Sequence, residues 1–192
     1  MEINDLFGLP AHPLLVHVPV VLVPLAFIGS IFVVARPGWR RAYAVPVAAL
    51  AVIGGIGVFL AAQSGEQLEE RVRENDAVEV HADKGEQAEP FAAVFVVLAV
   101  GLAVADQVDR RGRRAADADA DGTEVPAGGS GPSGTRTAVA RAVPVLAVLS
   151  LLSGAAASWA VYDAGHSGAK ATWQDTVDRA AIQAQPSDGD DD

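Results

Sequence analysis

Four histidines, His12, His17, His81 and His166, are the side chains in this sequence best suited to chemistry. Imidazole nitrogens ligate zinc, copper and iron, and a haem iron takes two axial nitrogens from facing helices. The expected ligand is therefore haem b or a transition-metal ion. His17 carries the most information, because it lies about one turn inside an uncharged apolar run. A polar ring at that depth needs a partner or a water-filled cavity. Pro13 and Pro19 flank it, and Pro19 leaves the carbonyl of Leu15 without its usual donor. A carbonyl freed in this way could accept the His17 N–H, and that satisfied, structural histidine is the competing expectation. His12 and His17 are five residues apart, about 140° around a helix at ~100° per residue. They do not share one ion unless Pro13 breaks the helix between them.

What is missing narrows the chemistry further. The chain has no cysteine, which excludes disulfides, thiolate metal sites, iron–sulfur clusters and covalently attached haem. No nucleophile–base pair, phosphate-cradling glycine loop or metalloprotease helix motif is present, so no catalytic residue is assigned. The net charge of −10 excludes nucleic-acid binding through a basic surface.

The elements that position the histidines are apolar runs, in a chain that is 51% hydrophobic. Residues 14–35, 42–65, 90–105 and 142–162 contain no Asp, Glu, Lys or Arg. Runs of about 20 apolar residues span a hydrocarbon core of about 30 Å; the third run is short for that. With no Asp, Glu, Lys or Arg inside them, a pump or secondary transporter is not expected. The fold expected is an all-α integral membrane bundle of four transmembrane helices. Ser150, Gly154 and Ser158 on the fourth run, and Gly54, Gly57 and Ala61 on the second, form stripes of small residues for helix contacts. No internal repeat is evident.

The domain reading follows from these runs. Residues 1–111 hold the first three spans, with an acidic outer loop at 66–89. Residues 112–136, with their Ala-Asp alternation and Gly/Ser/Pro run, read as a disordered cytoplasmic linker. Residues 137–185 hold the fourth span and a short outer helix from Ser167, and 186–192 form a disordered acidic tail. The third helix is expected to begin at Asp76, with Glu79 in its first turn, and to reach about Arg110 with Pro90 as a kink.

Nine basic residues (Arg36, Arg40, Arg41, Arg110, Arg111, Arg113, Arg114, Arg136 and Arg141) fall on one side of the spans and five on the other. By the positive-inside rule the nine face the cytoplasm, so both termini and all four histidines lie outside in the cell membrane. Beyond the lipid bilayer, the expected partner is another membrane protein or a second copy of the chain. The functional expectation is a non-catalytic or redox-accessory membrane protein whose outer histidines bind haem b or a transition metal. The alternative is a structural or partner-binding subunit without a cofactor.

The segment Gly8-Leu9-Pro10-Ala11-His12-Pro13-Leu14-Leu15-Val16-His17-Val18-Pro19 resembles the His-Pro-x-x-x-His-x-Pro opening of a bacterial membrane family, domain of unknown function 2231. Ser64-Gly65, His81, and Gly165-His166-Ser167-Gly168-Ala169 followed by Trp173 resemble its other landmarks. The resemblance covers most of the chain apart from 112–136 and the acidic tail. It implies four membrane helices and no assigned activity.

Overall fold

The structure, a computed structural model, describes residues 5–6, 9–69, 76–120 and 133–184. A two-residue strand β1 (Asp5–Leu6) pairs antiparallel with β2 (Leu9–Pro10). Five helices follow: α1 (Ala11–Leu15), α2 (His17–Ala35), α3 (Pro37–Glu69), α4 (Asp76–Ala120) and α5 (Ser133–Ala184). The break between α1 and α2 falls at Val16, three residues before Pro19, whose missing N–H withholds the bond that Leu15 would otherwise accept. Four helices are long and apolar enough to cross a membrane: Ala11–Ala35, Pro37–Glu69, Asp76–Asp117 and Arg141–Trp173.

These four form a closed ring, with α2 against α3, α3 against α4, α4 against α5, and α5 back against α2. The apolar centre holds Val23, Ala26, Ala51, Ala92, Phe95 and Ala157. The small-residue stripes do what lipid demands, since hydrophobicity alone does not draw helices together there. A Cβ on Gly54 would sit 3.2 Å from the backbone nitrogen of Val23. One on Gly154 would meet Phe95 at 2.8 Å and Phe27 at 2.9 Å. The outward faces carry large apolar side chains, Val97 at 68% and Leu152 at 64% exposure. In water such a surface would aggregate; in a bilayer it is solvated by acyl chains.

At 45 residues, α4 is about 68 Å long at ~1.5 Å per residue, far more than the hydrocarbon thickness. Both ends of the helix extend well beyond the short run 90–105, and the charge that closes that run, Asp106, is buried against arginines rather than exposed. The helix continues through Ala120, and α5 begins at Ser133, so 112–120 and 133–136 are helical rather than part of a disordered linker. Alanine is the strongest helix former, and the Arg113–Asp109 ion pair at 2.9 Å adds i,i+4 support. The remaining linker residues, 121–132, and the tail 186–192 lie outside the described residues. At the other end α5 is continuous to Ala184, so the expected separate outer helix is its last part.

Candidate functional site

One end of the bundle gathers the start of α1, the end of α3, the start of α4 and the later part of α5. There the structure pairs His12 with His81, whereas the sequence reading expects His17 to supply one axial nitrogen and His81 or His166 the other. The rings of His12 and His81 lie 5.8 Å apart, centroid to centroid, at 73°. His17 does not join them. Its ring is exposed, and its Nδ1 hydrogen-bonds the carbonyl of Pro13 at 2.7 Å, one turn back. The accepting carbonyl is that of Pro13 rather than Leu15. His166 is also exposed, stacked on Tyr162 at 6.0 Å and 10°. The four-histidine cluster thus reduces to a pair, with His17 bonded to the end of α1 just before it and His166 stacked on its own helix.

Both members of the pair are held by the same local device. On α3, the carbonyl of Ala61 accepts the Ser64 hydroxyl at 2.9 Å and the His12 Nδ1–H at 2.9 Å. On α5, the carbonyl of Ala164 accepts the Ser167 hydroxyl at 2.8 Å and the His81 Nδ1–H at 3.0 Å. The serine at i+3 and the glycine at i+4 lie on the same helix face as the carbonyl. Glycine is required because the ring lies where a side chain would be. A Cβ on Gly65 would stand 3.1 Å from His12 Cε1, and one on Gly168 only 2.8 Å from His81 Cε1.

The device is written twice in the sequence, as Ala61-Ala62-Gln63-Ser64-Gly65 and Ala164-Gly165-His166-Ser167-Gly168. Ala44-Val45-Pro46-Val47 and Ala142-Val143-Pro144-Val145 recur upstream of them. Each two-helix half therefore supplies one histidine and one Ala-x-x-Ser-Gly clasp, and the internal repetition that inspection of the sequence missed becomes visible. It escaped notice because the clasp is five residues long and sits at different distances from each Pro.

The clasp fixes the chemistry of the rings. With Nδ1–H donated to a main-chain carbonyl, the neutral ring presents the Nε2 lone pair. Neither Nε2 has a protein partner among the described residues. The same arrangement orients histidines that ligate metals. His81 stands nine residues before Pro90 on the projecting part of α4, outside the run that crosses. Burial first, and His12 second, push its pKa below the ordinary imidazole value, against the opposing hydrogen bond to Ala164. Beside it, Lys84 bonds Asp163 at 2.8 Å, a second tie between α4 and α5. Among the described residues no group of three or more His, Asp and Glu side chains is placed to hold a metal, and the pair offers two imidazole nitrogens and no third protein ligand of that kind.

The opposite end holds an ionic site that reading the sequence overlooked. Asp106, one residue past the third apolar run, is 3% exposed. It pairs with Arg40 at 2.7 Å and Arg110 at 2.8 Å. Arg110 also bonds the Arg41 carbonyl at 2.9 Å. Three charges lock the first turn of α3 to α4.

Fold and surface together define a four-span helical membrane bundle. The chain belongs to the family of predicted membrane proteins designated DUF2231, whose family model matches residues 8–181. No curated protein and no solved structure matches the chain significantly.

Proposed function

We propose that this is a non-catalytic, redox-accessory protein of the cell membrane whose His12–His81 pair binds one metal centre, either a transition-metal ion or haem b iron. The observation that carries the reading is that both Nδ1 atoms are engaged by main-chain carbonyls while the two rings stand 5.8 Å apart. Two metal–nitrogen bonds of about 2.0 Å, with a ring radius of about 1.1 Å at each end, would separate the centroids by about 6 Å when the two nitrogens lie in line through the metal, and by about 5 Å at a tetrahedral angle. The nine-to-five split of basic residues supports placing this pair and both termini outside. His17 and His166 take no part in the site.

A second reading is favoured by the same hydrogen bonds. Imidazoles that satisfy the carbonyls of Ala61, Ala164 and Pro13 can be structural fasteners of a membrane subunit that binds another protein or a second copy. The visible spectrum and metal content of detergent-purified protein, expressed with haem and metals supplied, separate the two. A bound centre lost in both His12→Ala and His81→Ala, and kept in His17→Ala and His166→Ala, supports the ligand site. A colourless, metal-free wild type supports the fastener.

A further inference from the structure

The arginine-bearing end of the bundle has charge to spare after its internal pairing is complete. Arg40 and Arg110 are committed to Asp106, and Arg113 to Asp109. Arg36, Arg41, Arg111 and Arg114 are exposed and have no acidic partner among the described residues. The Asp106 lock brings the 36–41 link and the 106–114 segment to the same place. A cluster formed by Leu102, Val143 and Ala147, with Val34 packed on it, brings the start of the fourth apolar run, beside Arg141, to that end as well.

Arg36 is placed more specifically than the others. It follows Ala35, the last residue of the first apolar run, so it sits where hydrocarbon gives way to headgroups. Its guanidinium lies 4.8 Å over the ring of Trp39, which is 41% exposed. Trp39 in turn meets Phe32 at 5.8 Å and Tyr43 at 6.2 Å. An aromatic ladder of this kind anchors at the membrane interface. The Arg36 guanidinium has no side-chain hydrogen bond or ion pair among the described residues, so its N–H fork is available to receive phosphate oxygens in bidentate fashion.

We propose that this end of the bundle is a binding site for the headgroup of an acidic phospholipid, with Arg36 on Trp39 holding the phosphate and Arg41 and Arg111 supplying the surrounding positive field. The phosphate source is the lipid rather than a soluble anion, because the ladder beneath Arg36 is apolar and lies along the acyl-chain boundary. Near a surface each arginine contributes roughly fivefold in affinity for anionic lipid.

The test uses the full-length protein, purified in detergent and titrated with phosphatidylglycerol, phosphatidylcholine or inorganic phosphate, with thermal stability and co-purifying lipid as readouts. Phosphatidylglycerol should stabilise the protein and be retained selectively, and the effect should weaken as salt is raised. Arg36→Gln and Arg41→Gln should each lower the apparent lipid affinity about fivefold. Arg36→Lys, which keeps the charge but not the fork, should fall between wild type and Arg36→Gln. Neither arginine holds Asp106, so both glutamine variants should fold. Equal responses to phosphatidylglycerol and phosphatidylcholine would overturn the proposal. So would a Gln variant that responds like wild type, or inorganic phosphate that reproduces the lipid effect.

Discussion

Replacing Gly168 by alanine tests the histidine clasp, because the clasp reverses the sign of an otherwise favourable change. Gly168 lies within α5, and in a helix interior Gly→Ala ordinarily stabilises by about 1 kcal/mol. Here the new Cβ would lie 2.8 Å from Cε1 of His81, 3.1 Å from its Nδ1 and 3.2 Å from its Nε2. The ring cannot swing aside without giving up its bond to the Ala164 carbonyl at 3.0 Å. Losing that bond costs about 1 kcal/mol, and overpacking costs a further ~1–3 kcal/mol. After subtracting the propensity gain, a net destabilisation of about 1–3 kcal/mol is expected. Gly165, three residues earlier on the same helix, has nothing within 4 Å of its Cβ position. Gly165→Ala should therefore stabilise by up to about 1 kcal/mol. Thermal unfolding in detergent, followed by circular dichroism, compares the two variants directly. If Gly168→Ala raised stability as much as Gly165→Ala does, the ring would not occupy the slot and the clasp would be refuted.

Three further outcomes follow from the same geometry. Asp106→Asn should destabilise by about 2 kcal/mol, below the ~3–5 kcal/mol of a fully buried pair, because Arg40 and Arg110 keep 24% and 23% exposure and can rehydrate; a neutral result would deny the lock. His17→Ala should cost less than about 1 kcal/mol, since its ring is exposed and bonds only its own preceding turn; a loss comparable with that of His12→Ala would restore His17 to the site. Burial holds the His81 pKa below its ordinary value, so the unfolded chain takes up the proton first. Stability is then complete above about pH 6.5 and falls as pH drops toward the folded-state value. A thermal melt series from pH 8 to 5 should show this decline in wild type and a smaller one in His81→Gln.

Much of the fold was legible in the sequence because a bilayer imposes its length scale on composition. Uncharged runs at 14–35, 42–65, 90–105 and 142–162 mark the spans directly, and glycine stripes mark the contacts between them. The short third run was legible too, once Asp76 and Glu79 were read as the start of a longer helix. The Ala-Asp alternation after Arg114 misled, because polarity suggested disorder while alanine propensity continued the helix to Ala120. At the site, residue type was legible and pairing was not. His17 drew attention because it lies inside an apolar run, yet an exposed ring that bonds a carbonyl four residues back resolves that cost locally. His12 and His81 find their partners 49 and 83 residues away, and those partners are backbone carbonyls, which carry no signature of their own. The signal that could have revealed them was the repeated Ala-x-x-Ser-Gly.

The central claim is that His12 and His81 both donate through Nδ1 and keep Nε2 free for a ligand. Nitrogen NMR of the protein labelled with 15N-histidine, in micelles above pH 7, reads the tautomer of each ring, with His12→Gln and His81→Gln variants giving the assignments. The account predicts two rings with the proton on Nδ1 and an unprotonated Nε2, the less common tautomer of free imidazole. Those Nε2 signals should be the ones that move when metal or haem is added. Rings protonated at Nε2, with Nδ1 accepting, would contradict both the clasp and the site built on it.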